Sequence, residues 1–588
     1  MIDQLTNLRI DALRRAYLSH ETTPADLVAR IFERIDAEGA APIWISLADR
    51  DAAIERARRI DLSLPLAGVP FAVKDNIDVG GLPTTAACPS FAYRPECTAP
   101  VVTRLLDAGA ILIGKTNMDQ FATGLVGTRS PYGACANPFD ARYVSGGSSS
   151  GSAVAVAKGL CAFALGTDTA GSGRIPAAFN NLVGVKPTRG LLSATGVVPA
   201  CRSLDCVSIF ATTAGDAEAV WRTAQGFDRE DPYSRTCAPG AGAAPWAAGA
   251  FRFGVPEPSA LELFGDTETA SLFAKAAANL EAIGGIRTTI DFAPFREAAM
   301  LLYSGPWVAE RFAAVGDVVM RGGDGIDEVV ARIILSGAKP SAVGAFRALY
   351  RLEELKRAAS ADWARMDVLL LPTAPTIYTR AEVAADPVRL NTNLGYYTNF
   401  VNLMDLAAIA VPAGFRRDGL PFGVSLIGPA FSDAGLIALS RRFLDEPALP
   451  VTPGCIEVAV VGAHLSGQPL NHQLTERGAS LLRSCRTSRE YRLFALADTT
   501  PAKPGLVREQ GYSGLGIEIE VWAVPEHQFG GFVAAVPPPL AIGNVRLEDG
   551  SWVKGFVCEP AGLADALEIT QFGGWRNYRS LTERSASS

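Results

Sequence analysis

The sequence predicts an α/β protein in two parts: a large sheet covered by helices on both faces, then a smaller domain rich in β structure. Three observations carry that expectation. Short apolar runs of strand length (AGVPFAV, AILIG, CAFALGT, VLLLPTA, AAIAVPAG, GVSLIG) alternate with helical stretches, the pattern of strands buried between helices. The 588 residues exceed what one hydrophobic core usually holds. Near 445–456, the segment EPALPVTPGC gathers three prolines and a glycine, the composition of a linker.

Taken in order, residues 1 to about 60 read as two amphipathic helices, with apolar positions recurring at three and four. Thr23 before Pro24 is a natural cap, because Pro suits the first helical position. Residues 238–249, APGAGAAPWAAG, read as a surface loop, and long helices fit 268–283 and 343–366. Beyond the linker, IEVAVV, YRLFALA, GIEIEVWAV and GNVRLEDGSWVKGFVCE alternate as strands, with Glu548-Asp549-Gly550 as a hairpin turn. The domains are therefore set at 1–448 and 457–588, joined by a linker over 449–456.

Hydrophobic residues make up 48% and charged residues 20%, which excludes an intrinsically disordered chain. A net charge of −7 without a dense basic block argues against a nucleic-acid ligand. The start lacks a signal-peptide core, and the most apolar stretch, AVAVAKGLCAFAL, is broken by Lys158 and falls short of the roughly 18 residues a membrane span needs. A cytoplasmic location without membrane attachment is expected. The ten cysteines show neither zinc-site nor disulfide spacing. Histidine is scarce: His20, His464, His472 and His527 are all there are, so chemistry between residues 21 and 463 must proceed without imidazole.

One motif is set aside. Gly109 to Thr116 matches the phosphate-loop pattern G-x-x-x-x-G-K-[ST], but Ile111-Leu112-Ile113 is itself a strand, following a helix that ends at Gly109, so free amides for a phosphate are missing. Residues 145–176 are more informative: two Gly/Ser-rich turns bracket a helix of small residues and an apolar strand. The glycines permit close backbone approach, and the serines place hydroxyls at defined positions. A serine nucleophile needs a base, and without histidine the remaining candidate is a lysine held neutral by burial. From a reference near 10.4 that takes a shift of roughly 3 units, about 4 kcal/mol. Lys74, at the end of the apolar run Pro70-Phe-Ala-Val, is placed for it, with Asp75 and Asn76 beside it.

These residues, in VPFAVKDNIDVGGLPTT, GKTNMDQFA, GGSSSGSAVAVAKG and GTDTAGSGRIPAA, resemble the amidase signature family of serine amidohydrolases, over roughly residues 20 to 445. The resemblance implies a central mixed sheet with helices on both faces. It places the nucleophile on Ser172, a bridging serine after a cis peptide on Ser148, and the general base on Lys74. The backbone amides of Thr169, Ala170, Gly171 and Ser172 match the family's oxyanion hole. No metal or organic cofactor is implied. The chain departs from the commonest pattern at Ala170 and Gly173, which concerns the shape of the pocket.

Leu302-Tyr303-Ser-Gly-Pro306-Trp-Val-Ala-Glu-Arg311-Phe resembles a stretch of the allophanate hydrolases, a subgroup in which the matching Tyr and Arg bind the substrate carboxylate. Pro306 is expected to start a helix, leaving Tyr303 in the preceding turn where its hydroxyl meets the Arg311 guanidinium. Gly124 in FATGLVG is expected to add a backbone carbonyl to the same pocket. VVGAHLSGQPLNHQLTERGA and FGGWRNY resemble that subgroup's extra domain, with a γ-glutamyl-cyclotransferase-like α+β fold, which is implicated in decarboxylating N-carboxycarbamate. His464, Asn471 and His472 there are either groups that handle that dianion or parts of a capped turn. What the resemblance implies is hydrolysis of the small molecule allophanate, a homodimer and a functional link to a urea carboxylase. The alternatives are the amidase component of a tRNA-dependent amidotransferase, a broad-specificity amidase, or a binding protein with a decayed fold.

Overall fold

The computed structural model describes residues 7–236, 245–247, 249–446, 455–497, 499–548 and 550–586, and its contacts divide the chain between Glu446 and Pro447 into two units. In the first unit the apolar runs pair into a mixed sheet of eleven strands. These are β1 (Trp44–Leu47), β2 (Pro70–Lys74), β3 (Ile111–Thr116), β4 (Phe163–Asp168), β5 (Val183–Lys186), β6 (Cys206–Ala211), β7 (Phe251–Pro256), β8 (Gly285–Ile290), β9 (Val368–Pro372), β10 (Leu406–Phe415) and β11 (Pro421–Pro429). Across the sheet the order is β1-β3-β2-β4-β6-β5-β10-β11-β9-β7-β8. Strand β2 runs parallel to both β3 and β4, whereas β4 and β6 are antiparallel. Every residue of β2, β4, β5, β6 and β9 is buried, as strands covered on both faces require, and the burial takes in the polar Lys74, Thr167, Asp168, Lys186 and Ser208.

The Thr23 cap is formed: its hydroxyl accepts from Asp26 N at 3.1 Å, with Pro24 at the first helical position of Pro24–Glu38. The first 60 residues hold more than two helices. A third, Arg50–Arg58, is capped by Asp49, and the four-residue strand β1 precedes it. That helix buries only Ala53 and Ala57, so it lacks the bulky apolar spacing by which a helix is recognised. The long helices are Thr267–Ala282 and Ala342–Trp363. Of the loop expected at 238–249, residues 238–244 and 248 lie outside the described residues, and Pro245–Ala247 form one 3₁₀ turn.

Lys115 of the set-aside motif is a strand residue. It is wholly buried, donates to Thr84 Oγ1 at 2.8 Å and lies 3.4 Å from Asp75 Oδ1, a pairing that belongs to the core.

The second unit has two sheets. One of five strands runs Ser480–Arg486, Glu518–Pro525, Cys455–Val460, Trp552–Cys558, Leu540–Arg546; one of three runs Pro504–Arg508, Tyr491–Ala495, Leu567–Glu568. Leu540–Arg546 and Trp552–Cys558 form the expected hairpin, with Gly550 at φ +87° in its turn; Asp549 lies outside the described residues. So do 449–454 of the expected linker, while Cys455 and Ile456 already belong to the first strand. Among the described residues no helix is long and apolar enough to cross a membrane.

Candidate active site

Lys74 ends β2 with no exposed surface, and its Nζ has two hydroxyl partners: Ser148 Oγ at 2.7 Å and Thr167 Oγ1 at 2.8 Å. Thr167 lies on the neighbouring strand β4, so sheet pairing brings it to the lysine. Asn76 Nδ2 also donates to Thr167 Oγ1, at 3.2 Å. Burial pulls Lys74 down to about 7, with Asp119, Asp168 and Asp205 opposing the fall and Arg311 adding to it. A lysine at that value is substantially neutral near pH 7 and can accept a proton.

The Gly147–Ser148 peptide is cis. Of the serines in this turn, Ser148 alone meets Lys74, because Ser149 Oγ donates to Thr167 O at 3.1 Å and Ser152 Oγ to Leu165 O at 2.9 Å. The chain then enters the helix Ser150–Ala157, passes through β4 and reaches the second turn.

The Asp168 carboxylate organises that second turn. It accepts from Gly171 N (2.8 Å) and Gly173 N (3.0 Å) and pairs two-pronged with Arg174, Nε at 2.8 Å and Nη2 at 2.9 Å. Burial would raise this carboxyl, yet Arg174 holds it below the usual carboxylate range. Gly171 has φ +135°, and a Cβ there would come within 2.4 Å of Thr398 Oγ1, so glycine is required on both grounds. Ser172 follows, 3% exposed, and its hydroxyl forms no hydrogen bond among the described residues.

Among the described residues the N–H groups of Thr169, Ala170 and Ser172 have no acceptor, but Gly171 N–H is engaged by Asp168. Of the four amides expected to form an oxyanion hole, Gly171 N–H is therefore already committed, and three remain open. Among the described residues no hydrogen bond joins Ser148 to Ser172. Gly173 also differs from expectation. A Cβ there would sit 2.5 Å from Ser208 Cβ and 3.1 Å from Asp168 Cβ, so the glycine makes room for the sheet behind the turn and does not shape a pocket.

Arg311, 2% exposed, lies in the first turn of helix Val308–Arg321. Its Nη1 donates to Thr123 Oγ1 at 3.0 Å and Ala122 O at 3.3 Å, and its Cζ stands 5.8 Å from the Tyr303 ring centroid. Tyr303 is not in a free turn. It occupies the end of the preceding helix, Ala293–Ser304, and the break at Gly305-Pro306 still lets it approach the guanidinium. Glu310 faces away, accepting from Ser203 N at 2.8 Å and Ser203 Oγ at 2.5 Å. Among the described residues no carboxylate lies within 4.0 Å of Arg311. A buried guanidinium without a counter-ion is a receptor for an incoming anion.

The loop that meets Arg311 is the FATGLVG segment expected to reach the pocket through Gly124, but the residues that touch the guanidinium are Ala122 and Thr123. Phe121 and Ala122 both have positive φ, +50° and +51°, an uncommon conformation outside glycine that aims Ala122 O and Thr123 at the guanidinium. Gly124 is the next residue, and a Cβ on it would meet Asp119 Oδ2 at 2.4 Å.

In the second unit a cavity of about 240 Å³ is lined by His464, Gln473, Lys503, Phe532 and Phe556 among others. His464 Nε2 is 2.9 Å from Gln473 Oε1, and its ring stacks on Phe556 at 4.8 Å. Burial lowers the His464 pKa. Asn471 Nδ2 donates to His464 O at 2.9 Å, whereas the exposed His472 turns Nδ1 to Pro469 O.

A sequence model of the family described as amidase matches residues 26–437. The chain belongs to the amidase family. A second model, described as the allophanate hydrolase C-terminal domain, matches residues 456–580. The amidase chain is 44% identical to the urea amidolyase of Saccharomyces cerevisiae over 97% of its own length, but spans only 33% of that relative. It spans a similar third, 31%, of the Lachancea kluyveri urea amidolyase. Among solved structures, the Kluyveromyces lactis allophanate hydrolase shares 43% identity at a TM-score of 0.71, with 97% of this chain and 99% of that one covered. A glutamyl-tRNA(Gln) amidotransferase component from Thermotoga maritima shares 27% identity at a TM-score of 0.63, with 75% of this amidase and 95% of that chain covered.

Proposed function

We propose that this amidase hydrolyses allophanate at its terminal amide, releasing ammonia and N-carboxycarbamate. The observation that carries the proposal is the buried Arg311, which has Tyr303 beside it and, among the described residues, no carboxylate of its own. That arrangement suits a substrate with a carboxylate beyond the amide, and the similarity to the Kluyveromyces lactis allophanate hydrolase points the same way.

In this mechanism neutral Lys74 takes the Ser148 proton as Ser148 takes that of Ser172, and the Ser172 oxygen bonds to the amide carbonyl carbon. The Ser148–Ser172 contact closes when substrate is bound, as catalytic hydrogen bonds commonly do. The amides of Thr169, Ala170 and Ser172 receive the developing oxyanion. The C–N bond then breaks while protonated Lys74 returns its proton, through Ser148, to the leaving ammonia. Water adds to the acyl-enzyme by the same relay and frees Ser172. N-carboxycarbamate breaks down to carbon dioxide and ammonia, and the cavity around His464 is the place in this chain where that step would be assisted. A cytoplasmic location and a link to a urea carboxylase belong to the same proposal.

The test is ammonia release by the purified chain from allophanate, with malonamate, glutamine and a hydrophobic amide in parallel. We expect strong preference for allophanate. Turnover of glutamine alone, or only once a partner protein is added, would move the chain to the amidotransferases.

The homodimer is proposed as well. Val343, Phe346, Leu349 and Tyr350, each 46–64% exposed, cluster at the start of helix Ala342–Trp363. Arg347 precedes Glu353 on that helix, so a second copy laid antiparallel about Tyr350 would set opposite charges against each other. Phe346→Glu should convert a dimer to a monomer in light scattering; an unchanged mass would move the interface elsewhere.

A further inference from the structure

Asp119, in the segment GKTNMDQFA, is wholly buried and lies between two walls of the site. Its carboxylate accepts from Gly127 N at 3.0 Å and Arg129 N at 2.9 Å, while its own N–H donates to Ser148 O at 3.0 Å. The same carboxylate fills the space beside two glycines: a Cβ would come within 2.1 Å of Oδ2 at Gly147 and within 2.4 Å at Gly124. The backbone N–H of this residue thus holds the carbonyl of Ser148, while its side chain packs against Gly147 and Gly124 and holds the loop amides of Gly127 and Arg129.

Hydrogen bonding alone does not explain a charge at this position. Among the described residues no charged side-chain nitrogen of Lys, Arg or His lies within 4.0 Å of the Asp119 carboxylate, and a buried carboxylate without a cation is costly. The charged groups that act on Lys74 are Asp119, Asp168, Asp205 and Arg311, and its polar contacts are Ser148 and Thr167. Asp168 has its own cation in Arg174. Asp205 is pushed up by burial and accepts from Thr169 Oγ1, Ala200 N and Cys201 N. Asp119 has, among the described residues, neither a cation nor a third donor.

We propose that Asp119 is a positioning residue for the hydrolysis: it clamps the Ser148 peptide and the Gly124 loop in one register, and its charge stabilises Lys74 while that lysine holds the transferred proton. The proposal rests on Lys74 being the base, as set out above. The sign follows from charge. Removing a nearby anion disfavours protonated Lys74, so the acid limb of the pH profile must move to lower pH.

The experiment is kcat/KM against pH, with malonamate as probe, for the full chain and four variants. Wild type should lose activity tenfold per unit below about pH 7, where Lys74 becomes protonated. Asp119→Asn should move that limb toward acid by on the order of one pH unit, and Asp119→Glu should leave it in place. Asp119→Ser, which is smaller and keeps a hydroxyl acceptor, carries the same test should the amide hydrogens of Asn disturb the loop. Slower neutral variants with an unmoved limb would overturn the charge role and leave Asp119 as a structural clamp. A Lys74→Met variant that still turned over would instead bring down the base assignment, and this proposal with it.

Discussion

Ser172→Ala should lower kcat by at least about 10⁴-fold and eliminate the acyl-enzyme, while leaving the fold intact. The chemical half of the expectation follows from the turn. The Asp168 carboxylate, fixed by Arg174, holds Gly171 N and Gly173 N on either side of Ser172, so the backbone of the proposed nucleophile is positioned by groups the substitution does not touch. The structural half follows from the Ser172 hydroxyl, which forms no hydrogen bond among the described residues, so alanine orphans no partner. Melting should therefore shift by no more than about 0.5 kcal/mol of stability. Quenched mixtures of wild type and substrate should contain a chain carrying one acyl group, and the variant should not. Persistent turnover by the variant would overturn the nucleophile assignment, whereas a large loss of stability would contradict the turn's independence from that hydroxyl.

Arg311→Ala should cut kcat/KM for allophanate by roughly 10²- to 10³-fold, corresponding to loss of a buried charge-assisted carboxylate contact of about 3–4 kcal/mol. A neutral amide of similar size should lose far less, because it brings no charge to the guanidinium that Ala122 O and Thr123 Oγ1 hold in place. The pH profile supplies a second readout. Arg311 pushes Lys74 down, so its removal should raise the lysine and move the acid limb toward alkaline pH, opposite in sign to the Asp119→Asn change. Equal losses on charged and neutral substrates would sink the carboxylate role, even if the pH limb moved.

Several parts of the site were open to reading because they sit in local patterns. Lys74 ends an apolar strand, the two Gly/Ser turns bracket a helix and a strand, and the absence of histidine from 21 to 463 narrows the base to lysine. Other parts were closed. Thr167 reaches Lys74 because β2 and β4 are neighbours in the sheet, a pairing between residues 93 positions apart. The Ala122–Thr123 loop meets Arg311 from 188 and 189 positions away, and nothing in FATGLVG announces the left-handed backbone that aims it. Gly173 looked like a feature of the pocket because it adjoins the nucleophile, but the side chain it avoids is Ser208 on the strand behind.

By itself the sequence determined buried strands, small-residue turns rich in serine and a lysine at a strand end, since these follow from periodicity and side-chain type, while the choice of Ser148 and Ser172 among the serines came from the resemblance to the amidase family. Tertiary structure alone decided how much charge each group feels and where each hydrogen bond goes. Burial sets Lys74 near 7, Asp168 takes up the Gly171 N–H, and Glu310 turns to Ser203 while Arg311 turns to the loop. Desolvation and hydrogen-bond geometry depend on every element packed around a group, and those elements come from distant parts of the chain.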